Sequence, residues 1–320
     1  MPFADSENKI AVRLAWDLPL ITAWTNVVQR KLTYFGLPGP RMLDLLAWKD
    51  QLDDRRTAVE ENPRAAEKRE AADDAAAQLM SNALKANLSD GLQILRGDIG
   101  NIVVQGLDDY AMRPIRSSTG PVETARFHYD LHNFDFDGGL GFVQKKTGEA
   151  PRLDALRKLA ERQRGHSFIL LLTVNVRNTV GPNIADYLDR LQRQDPAGTI
   201  AWYLARGPGE VEYRLKAIVP VLMGQIAQAQ GFELRCLPPV AYTGHQQARM
   251  VHFAFEFLAE DLVFAGVNRQ TTEDMLTLPM LEAKDGALAL ATIQHPQFKP
   301  EKCRPILTHL GSGYVDSLLC

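Results

Sequence analysis

Cysteine and long apolar runs are scarce in this chain of 320 residues, and each shortage excludes a class of protein. The three cysteines are far apart and show no CxxC spacing, which argues against a disulfide framework and against a cysteine-rich zinc site. They are Cys236, Cys303 and Cys320. The longest apolar block, Phe168 to Val174, is far too short to span a bilayer. The first residues include Asp5 and Glu7 and form no signal peptide. We therefore expect a cytoplasmic chain with no membrane partner.

An excess of charge of one sign is also missing. The formal net charge is −3, with 23% charged and 45% hydrophobic residues, which is ordinary for a soluble globular protein. Such a balance gives no global basic footprint for nucleic acid, although it leaves a local patch open. Arg113, Arg116 and Arg126 are candidates for phosphate contacts or, alternatively, for solvated loop positions.

Two common catalytic motifs are absent. The glycine-containing loop from Gly36 to Gly39 lacks the GKS or GKT of a phosphate-binding Walker loop. Ser117, Ser118 and Ser312 lack the context of a nucleophile elbow, which argues against serine hydrolysis.

Predicted strands alternate with predicted helices along most of the chain. Such alternation indicates an α/β fold with a doubly wound, mostly parallel sheet. The last two strands, near 232–238 and 249–258, have no helix between them, so the sheet should end in an antiparallel hairpin. Residues 166–176 form a continuous apolar run, which is typical of a strand buried on both faces of a parallel sheet.

Acids, amides and glycines follow the predicted strands at the edge where open α/β sheets bind ligands. The run from Tyr129 to Gly139, YDLHNFDFDGG, breaks from a strand into acids and two glycines. Glycines after the first strand allow a ligand to approach the backbone closely. A carboxylate after the second strand could accept hydrogen bonds from both hydroxyls of a ribose. The residues after the first three strands are Tyr34, Gly36, Pro38 and Gly39, then Glu60, then Asp98 and Ile99.

The spacing of Asp130, Leu131 and Asp135 resembles the fourth strand of the Rossmann-like (class I) S-adenosylmethionine-dependent methyltransferases. The order of the parts resembles that family over about 31–260. The resemblance implies S-adenosylmethionine as cofactor and a Rossmann-like sheet. It also implies that Asp135, with Asn133 and Asp137 beside it, meets the reacting group.

The same resemblance assigns the cofactor-binding residues. The loop after the first strand would hold the methionine part, although it diverges from the family's acid and three spaced glycines. Glu60 would bind the ribose, Asp98 the adenine amino group, and Ile99 would pack on the ring. The segment after Asp135 lacks the Pro-Pro-aromatic sequence of amino-directed nucleic-acid methyltransferases, so the acceptor is unidentified and nucleic acid stays open.

The sequence thus predicts an N-terminal helical extension (1–30), a Rossmann-like methyltransferase domain (31–260) and a C-terminal extension (261–320). Two alternatives to methyl transfer stay open. One is a non-catalytic methyltransferase-like binding module. The other is a metal-dependent sugar-nucleotide transferase that uses Asp135 and Asp137, since hard oxygen ligands suit Mg²⁺ or Mn²⁺. A metal set of His128, Asp130 and His132 competes with buried, hydrogen-bonded side chains.

Overall fold

A computed structural model describes most of the chain, and the structural statements below concern these residues. They are 6–39, 41–60, 77–96, 99–105, 107–108, 113–114, 116–117, 120–121, 128–136, 138–140, 151–176, 193, 198–205, 211–244, 247–260 and 270–319. The predicted site residues Asp98 and Asp137, and also Arg126, lie outside the described residues.

Fourteen strands occur in the described residues, and ten of them form one sheet. The ten are β1 (Leu32–Gly36), β2 (Leu52–Glu60), β3 (Leu92–Arg96), β8 (Leu131–Asp135), β9 (Phe168–Asn175), β10 (Glu233–Cys236), β11 (Val240–Thr243), β12 (Arg249–Leu258), β13 (Leu281–Lys284) and β14 (Ala287–Leu290). The other four make two short ladders within a region predicted to be a loop. They are β4 (Leu107–Asp108) with β5 (Arg113–Pro114), and β6 (Arg116–Ser117) with β7 (Gly120–Pro121).

The order of strands confirms the predicted fold class. Strands β3, β2, β1, β8 and β9 lie side by side and run parallel. Strand β12 then pairs antiparallel with β9. The predicted antiparallel pairing is confirmed as well, since β10 pairs with β12 from Glu233 opposite Leu258 to Cys236 opposite Phe255. The sheet is therefore a mostly parallel α/β sheet that ends in antiparallel strands.

The segment 238–245, predicted to be a break, contains strand β11. Two prolines, Pro238 and Pro239, separate β11 from β10, and proline has no N–H to donate to a strand ladder. After this interruption β11 pairs antiparallel with the first half of β12. The prolines thus divide one long partner of β12 into two short strands.

The predicted C-terminal extension contributes two strands to the same sheet. Strand β13 pairs parallel with β11, and β14 pairs antiparallel with β13 at the edge. No periodicity in residues 261–320 indicated these strands. The division of the chain into three parts stays a prediction.

The described helices include three consecutive stretches near the N-terminus. These are the α-helix Glu7–Ala11, the π-helix Val12–Asp17 and the α-helix Leu18–Val28, which together we name the N-terminal helical segment. The other helices are Leu43–Trp48, 77–85, Ile99–Gln105, Pro151–Arg162, Thr199–Leu204, Val211–Ala229, Thr272–Thr277, Pro300–Cys303 and Ser312–Leu319, with a 3₁₀ turn at Thr308–Leu310.

Apolar side chains of the N-terminal helical segment belong to the core. Trp16, Leu20 and Trp24, spaced by four as in a helix face, are all buried. The indole Nε1 of Trp24 donates to the carboxylate of Glu256 on β12, at 2.5 Å. In the described part of the chain, no helix combines the length and apolar character needed to cross a bilayer.

A lysine is buried on the longest helix, Val211–Ala229. The ammonium of Lys216 donates to the hydroxyl of Tyr203 and, at 2.7 Å, to the carbonyl of Leu276. It also lies over the Tyr203 ring, 4.4 Å from the centroid. Burial lowers the pKa of Lys216 to about 7, although the thiols of Cys236 and Cys303 act in the opposite direction.

This lysine should make stability depend on pH. Its pKa is about 7 in the folded protein, whereas an unperturbed lysine has a pKa of about 10.4, so between these values the unfolded chain binds more protons and stability rises with pH. From about pH 7.5 to about 9.5, the free energy of unfolding of the parent should rise faster than that of Lys216→Met, by up to about 1.4 kcal/mol per pH unit. Urea titrations at several pH values measure this difference. The exposed Lys284→Met is the control, and equal slopes for parent and Lys216→Met would contradict the prediction.

Candidate functional site

The strand order changes direction between β1 and β8. From β1 the chain moves to β2 and β3 on one side, and then returns to β8 and β9 on the other side. In open α/β sheets, ligands bind at the carboxyl ends of the strands at such a reversal. The candidate site therefore lies above the end of β1.

Strand β1 ends two residues before its neighbours. Gly36 lies opposite Ala58 on β2 and opposite Asn133 on β8. Both neighbours continue for two more residues, to Glu60 and Asp135. Because adjacent strands are about 4.8 Å apart, these two carboxylates flank a notch roughly 10 Å wide.

The predicted glycine loop lies at the bottom of this notch. A Cβ at Gly36 would come within 2.4 Å of the Asn133 carbonyl oxygen and 2.7 Å of the Tyr34 hydroxyl, so the close approach at Gly36 is made by the chain itself. Gly39 has φ +64°, and a Cβ there would meet no atom within 4 Å. Of the two glycines, Gly39 has open space where a Cβ would stand, although its carbonyl accepts from the N–H of Met42 at 3.1 Å, and Pro38 beside it is buried.

The structure describes two of the three residues that were predicted on the other side of the notch, Glu60 and Ile99. Glu60 ends β2 with a half-buried side chain, and Ile99 is buried at the start of a helix that follows β3. Their roles in binding a nucleoside stay predictions.

On the β8 side, Asp135 contacts the N-terminal helical segment. The ammonium of Lys9 forms an ion pair with Oδ2 of Asp135. Burial alone would lower the pKa of Lys9, but Asp135, followed by Tyr242 and Asp44, holds it above the usual range. Lys9 therefore stays charged and neutralises Asp135.

Asn133 is hydrogen-bonded to a second ion pair, which Arg13 forms with Asp44. Its amide Nδ2 donates to Oδ2 of Asp44 at 2.7 Å, and Nε of Arg13 donates to Oδ1 of the same carboxylate at 2.5 Å. The Asn133 carbonyl accepts from the N–H of Leu37 at 2.9 Å. Asn133 is buried, and both its amide and its carbonyl fix the end of β1 and the helix that follows.

Three adjacent strands carry polar side chains next to one another. Asp135 on β8 lies opposite Thr173 on β9, which lies opposite His252 on β12. The His252 ring bonds to Thr173 at 2.9 Å through Nδ1 and to Asp17 at 2.8 Å through Nε2. Burial raises the pKa of the Asp17 carboxyl, and His252 opposes that rise.

These groups enclose a polar cavity of about 20 Å³. Space of this size holds roughly one water molecule. Its walls are Lys9, Val12, Arg13, Asp17, Asp44, Trp48, Asn133, Asp135, Thr173, Tyr242 and His252. The π-helix supplies three of these residues, and π-helical turns occur frequently at functional sites.

Sequence reasoning identified Asn133 and Asp135 in this cavity and missed the others. Lys9, Arg13 and Asp17 recur every four residues, which is the spacing of one helix face within the predicted helical extension. His252 and Thr173 lie within apolar strands. A polar residue in an otherwise apolar run was the available signal, because a buried polar group needs a partner.

Asp130, the first acid of the predicted motif, lies at the amino ends of the parallel strands, away from the candidate site. Asp130 precedes β8 and accepts from Thr33 N at 2.8 Å and from both terminal nitrogens of Arg30 at 2.6 and 2.7 Å. Hydrogen bonds from Arg30, His166 and Thr33 outweigh burial and hold its pKa well below the usual range. Asp130 therefore joins the starts of two strands.

The alternative metal set is not assembled in the structure. His128 is exposed and stacks on His166, whereas His132 is buried beside Gln163. Burial lowers the pKa of His132 to about 3. Within the described residues, no group of three or more histidine, cysteine or acidic side chains could hold a metal ion.

No protein-family model matches the chain. No curated protein matches its sequence. Among solved structures, the chain is similar to an O-methyltransferase from Bacillus cereus in complex with SAH, with TM-score 0.39 and 11% identity over 81% of this chain and 93% of that one. It is also similar to a Pyrococcus horikoshii protein proposed to be an RNA methyltransferase, with TM-score 0.38 and 9% identity over 79% and 84% of the two chains. A third is an O-methyltransferase family protein from Burkholderia thailandensis, with TM-score 0.34 and 12% identity over 79% and 58%. TM-scores this low carry no functional argument, so function has to follow from the residues of the site.

The ion pair between Arg13 and Asp44 should be needed for stability. Arg13→Met leaves a buried carboxylate without its charged partner, which typically costs about 3–5 kcal/mol. Urea unfolding of Arg13→Met measures the cost, and the double variant Arg13→Met/Asp44→Asn should recover part of it, because it removes the unpaired charge and keeps an acceptor for Asn133. The control is Arg157→Met, which breaks an exposed pair with Asp154 and should cost no more than about 1 kcal/mol. Equal losses in Arg13→Met and Arg157→Met would refute the prediction.

Proposed function

We propose that this protein transfers the methyl group of S-adenosylmethionine to an acceptor bound beside Asp135. The observation that carries the proposal is the notch above β1, at the reversal of strand order, with Glu60 on one side and Asp135 on the other. A nucleoside cofactor needs an open backbone and a carboxylate on one side, and an acceptor needs a polar group on the other.

The cofactor fits the Glu60 side of the notch. Gly39 presents open backbone there, and the half-buried Glu60 has two acceptor oxygens for the ribose hydroxyls. We assign Asp98 to the adenine amino group and Ile99 to the face of the ring. The loop with Tyr34, Gly36 and Pro38 forms the bottom of the notch. Asp135 lies across the notch from Glu60, and we assign that side to the acceptor.

When bound, the cofactor supplies a methyl group on a sulfonium. The chain then has to align the acceptor with that group and to exclude water. We assign the alignment to Asp135, whose carboxylate lies at the mouth of the polar cavity. Asn133 holds the end of β1 in place through Asp44 and Leu37. Asp137 follows Asp135 by two residues and is assigned to the same acceptor side.

The substitution Glu60→Gln tests the cofactor site. Loss of a charge-assisted hydrogen bond to the ribose costs about 1.5–3 kcal/mol, or roughly tenfold to a hundredfold in affinity. Calorimetric titration with S-adenosylmethionine measures this affinity. Glu233→Gln, at the opposite edge of the sheet, is the control and should bind like the parent. Asp135→Asn should also keep its cofactor affinity, because its place is on the acceptor side.

A second candidate is a non-catalytic binding module with the same fold. It is favoured by the ion pair that Lys9 makes with Asp135 and by the small volume enclosed there. Absence of any heat with S-adenosylmethionine and with S-adenosylhomocysteine would support the module and refute the methyltransferase. A sugar-nucleotide transferase would need a divalent cation on Asp135, and the Lys9 ammonium opposes this through like charge.

A further inference from the structure

Asp17, His252 and Thr173 form one continuous chain of hydrogen bonds that ends beside Asp135. The distances are 2.8 Å from Asp17 Oδ1 to His252 Nε2 and 2.9 Å from His252 Nδ1 to Thr173 Oγ1. The three residues are only 3%, 3% and 4% exposed. None of them belongs to the cofactor side of the notch.

The direction of these hydrogen bonds follows from what each group can donate. We assign Asp17 as ionised, because His252 and Arg13 oppose the rise in its pKa that burial causes. An ionised carboxylate only accepts, so His252 Nε2 then carries the hydrogen that it shares with Asp17. A neutral imidazole then accepts at Nδ1, and the hydrogen of the Thr173 hydroxyl is used in that bond. Thr173 therefore presents only lone pairs to the cavity, where it is also hydrogen-bonded to Tyr242.

Other charged and titratable groups, on four elements, surround this series of hydrogen bonds. These are Lys9 and Arg13 on the N-terminal helical segment, Asp44 on helix Leu43–Trp48, Asp135 on β8 and Tyr242 on β11. Lys9 and Arg13 already contact carboxylates, those of Asp135 and Asp44. Asp17 is therefore the carboxylate placed to stabilise a positive charge on His252.

Tyr242 lies at the same wall of the cavity. Burial raises the pKa of the Tyr242 phenol above its usual range and Asp135 adds to the rise, so the phenol keeps its proton. A proton that leaves an acceptor beside this cavity could pass to Asp135, Asp44 or His252, and Asp44 is already bound by Arg13 and Asn133. The ammonium of Lys9 already occupies Asp135, whereas Nδ1 of His252 receives a hydrogen from Thr173.

We infer that His252, oriented by Asp17, takes up through Thr173 the proton that an acceptor loses when it is methylated. This inference rests on the proposed function. The O–H or N–H bond of the acceptor breaks and its proton passes to Thr173 Oγ1. The proton of Thr173 passes to His252 Nδ1, and the product is an imidazolium beside the Asp17 carboxylate. His252 and Asp17 are thus positioning residues that act through Thr173.

The inference narrows the class of acceptor. Because Thr173 offers lone pairs to the cavity, the acceptor has to bring a hydrogen-bond donor to it. Alcohols, phenols and amines with an N–H meet this condition. Tertiary amines and thioethers do not.

Nitrogen-15 NMR of the full-length protein with labelled histidines directly tests the hydrogen bonds among Asp17, His252 and Thr173. Long-range proton–nitrogen correlations distinguish the two tautomers, and the signal missing in His252→Gln identifies His252 among the seven histidines. We expect His252 to carry its hydrogen on Nε2, and to take up a second proton reversibly while the protein stays folded. A hydrogen on Nδ1 in the neutral form would overturn the inference, as would a His252 that stays neutral until the protein unfolds.

Variants on either side of His252 sharpen the test. In Asp17→Asn the ring loses the carboxylate that accepts from Nε2, so the Nε2 resonance of His252 should shift. Thr173→Val should shift the Nδ1 resonance, and Thr173→Ser should restore it. Thr25→Val, which removes a hydroxyl bonded to Thr22 elsewhere on the N-terminal helical segment, should leave His252 unchanged. An unchanged Nε2 signal in a folded Asp17→Asn together with an unchanged Nδ1 signal in Thr173→Val would refute the relay.

These measurements need no cofactor, so they separate this inference from the proposed function. A chain without affinity for S-adenosylmethionine refutes methyl transfer and, with it, this role of the relay. If the protein binds S-adenosylmethionine but His252 carries its hydrogen on Nδ1, the proposed methyltransferase function stands and the proposed relay is refuted.

Discussion

Charged side chains that the N-terminal helical segment turns toward the sheet have to find partners there, because an unpaired buried charge costs several kcal/mol. Lys9 pairs with Asp135, Arg13 with Asp44, and Asp17 with His252. Further along, Trp24 donates to Glu256. Each partner lies on a different element or at a different position along the same strand. The contacts therefore fix both the rotation of the segment and its position along its axis.

That fixed position divides the site into two halves. The segment covers the sheet beside β8, β9 and β12, where it encloses a polar cavity of about 20 Å³. None of the described residues that line this cavity lies on β2, the strand that ends at Glu60. The early end of β1 at Gly36 produces the notch, and the N-terminal helical segment determines which side of the notch is closed. A shift of the segment by one helical turn would separate Lys9 from Asp135 and Asp17 from His252 together.

The sheet could be predicted from sequence because its information is local. Continuous apolar runs such as the one in β9 mark buried parallel strands, and the absence of a helix before β12 indicates antiparallel pairing. The strand β11 was missed because Pro238 and Pro239 interrupt the pattern. Asp130 was included in the motif because the sequence does not show at which end of a strand an acid lies. In the structure it binds Arg30 at the end opposite the site.

The cavity could not be predicted in the same way. Lys9 and Asp135 are 126 positions apart, and Asp17 and His252 are 235 apart, so no spacing along the chain connects them. Sequence placed Asp135 at the end of a strand because acids at strand ends form a local pattern. It gave no reason to join that acid to a histidine in the middle of a strand more than a hundred residues later. Such contacts depend on strand order and register, which are properties of the whole sheet.

Two of the three carboxylates that line the cavity, Asp135 and Asp17, differ in partner, and the partner determines what each can do. Asp135 is bound by an ammonium, which cannot accept a proton and which keeps the carboxylate oriented as an anion. Asp17 is bound by an imidazole, which can accept one and whose positive charge the carboxylate would stabilise. Environments of this kind commonly separate two acids of one site into different roles. The same division follows here from the N-terminal helical segment alone, since one helix supplies both Lys9 and Asp17. An acceptor between them would meet a fixed anion on one side and, through Thr173, a place for its proton on the other.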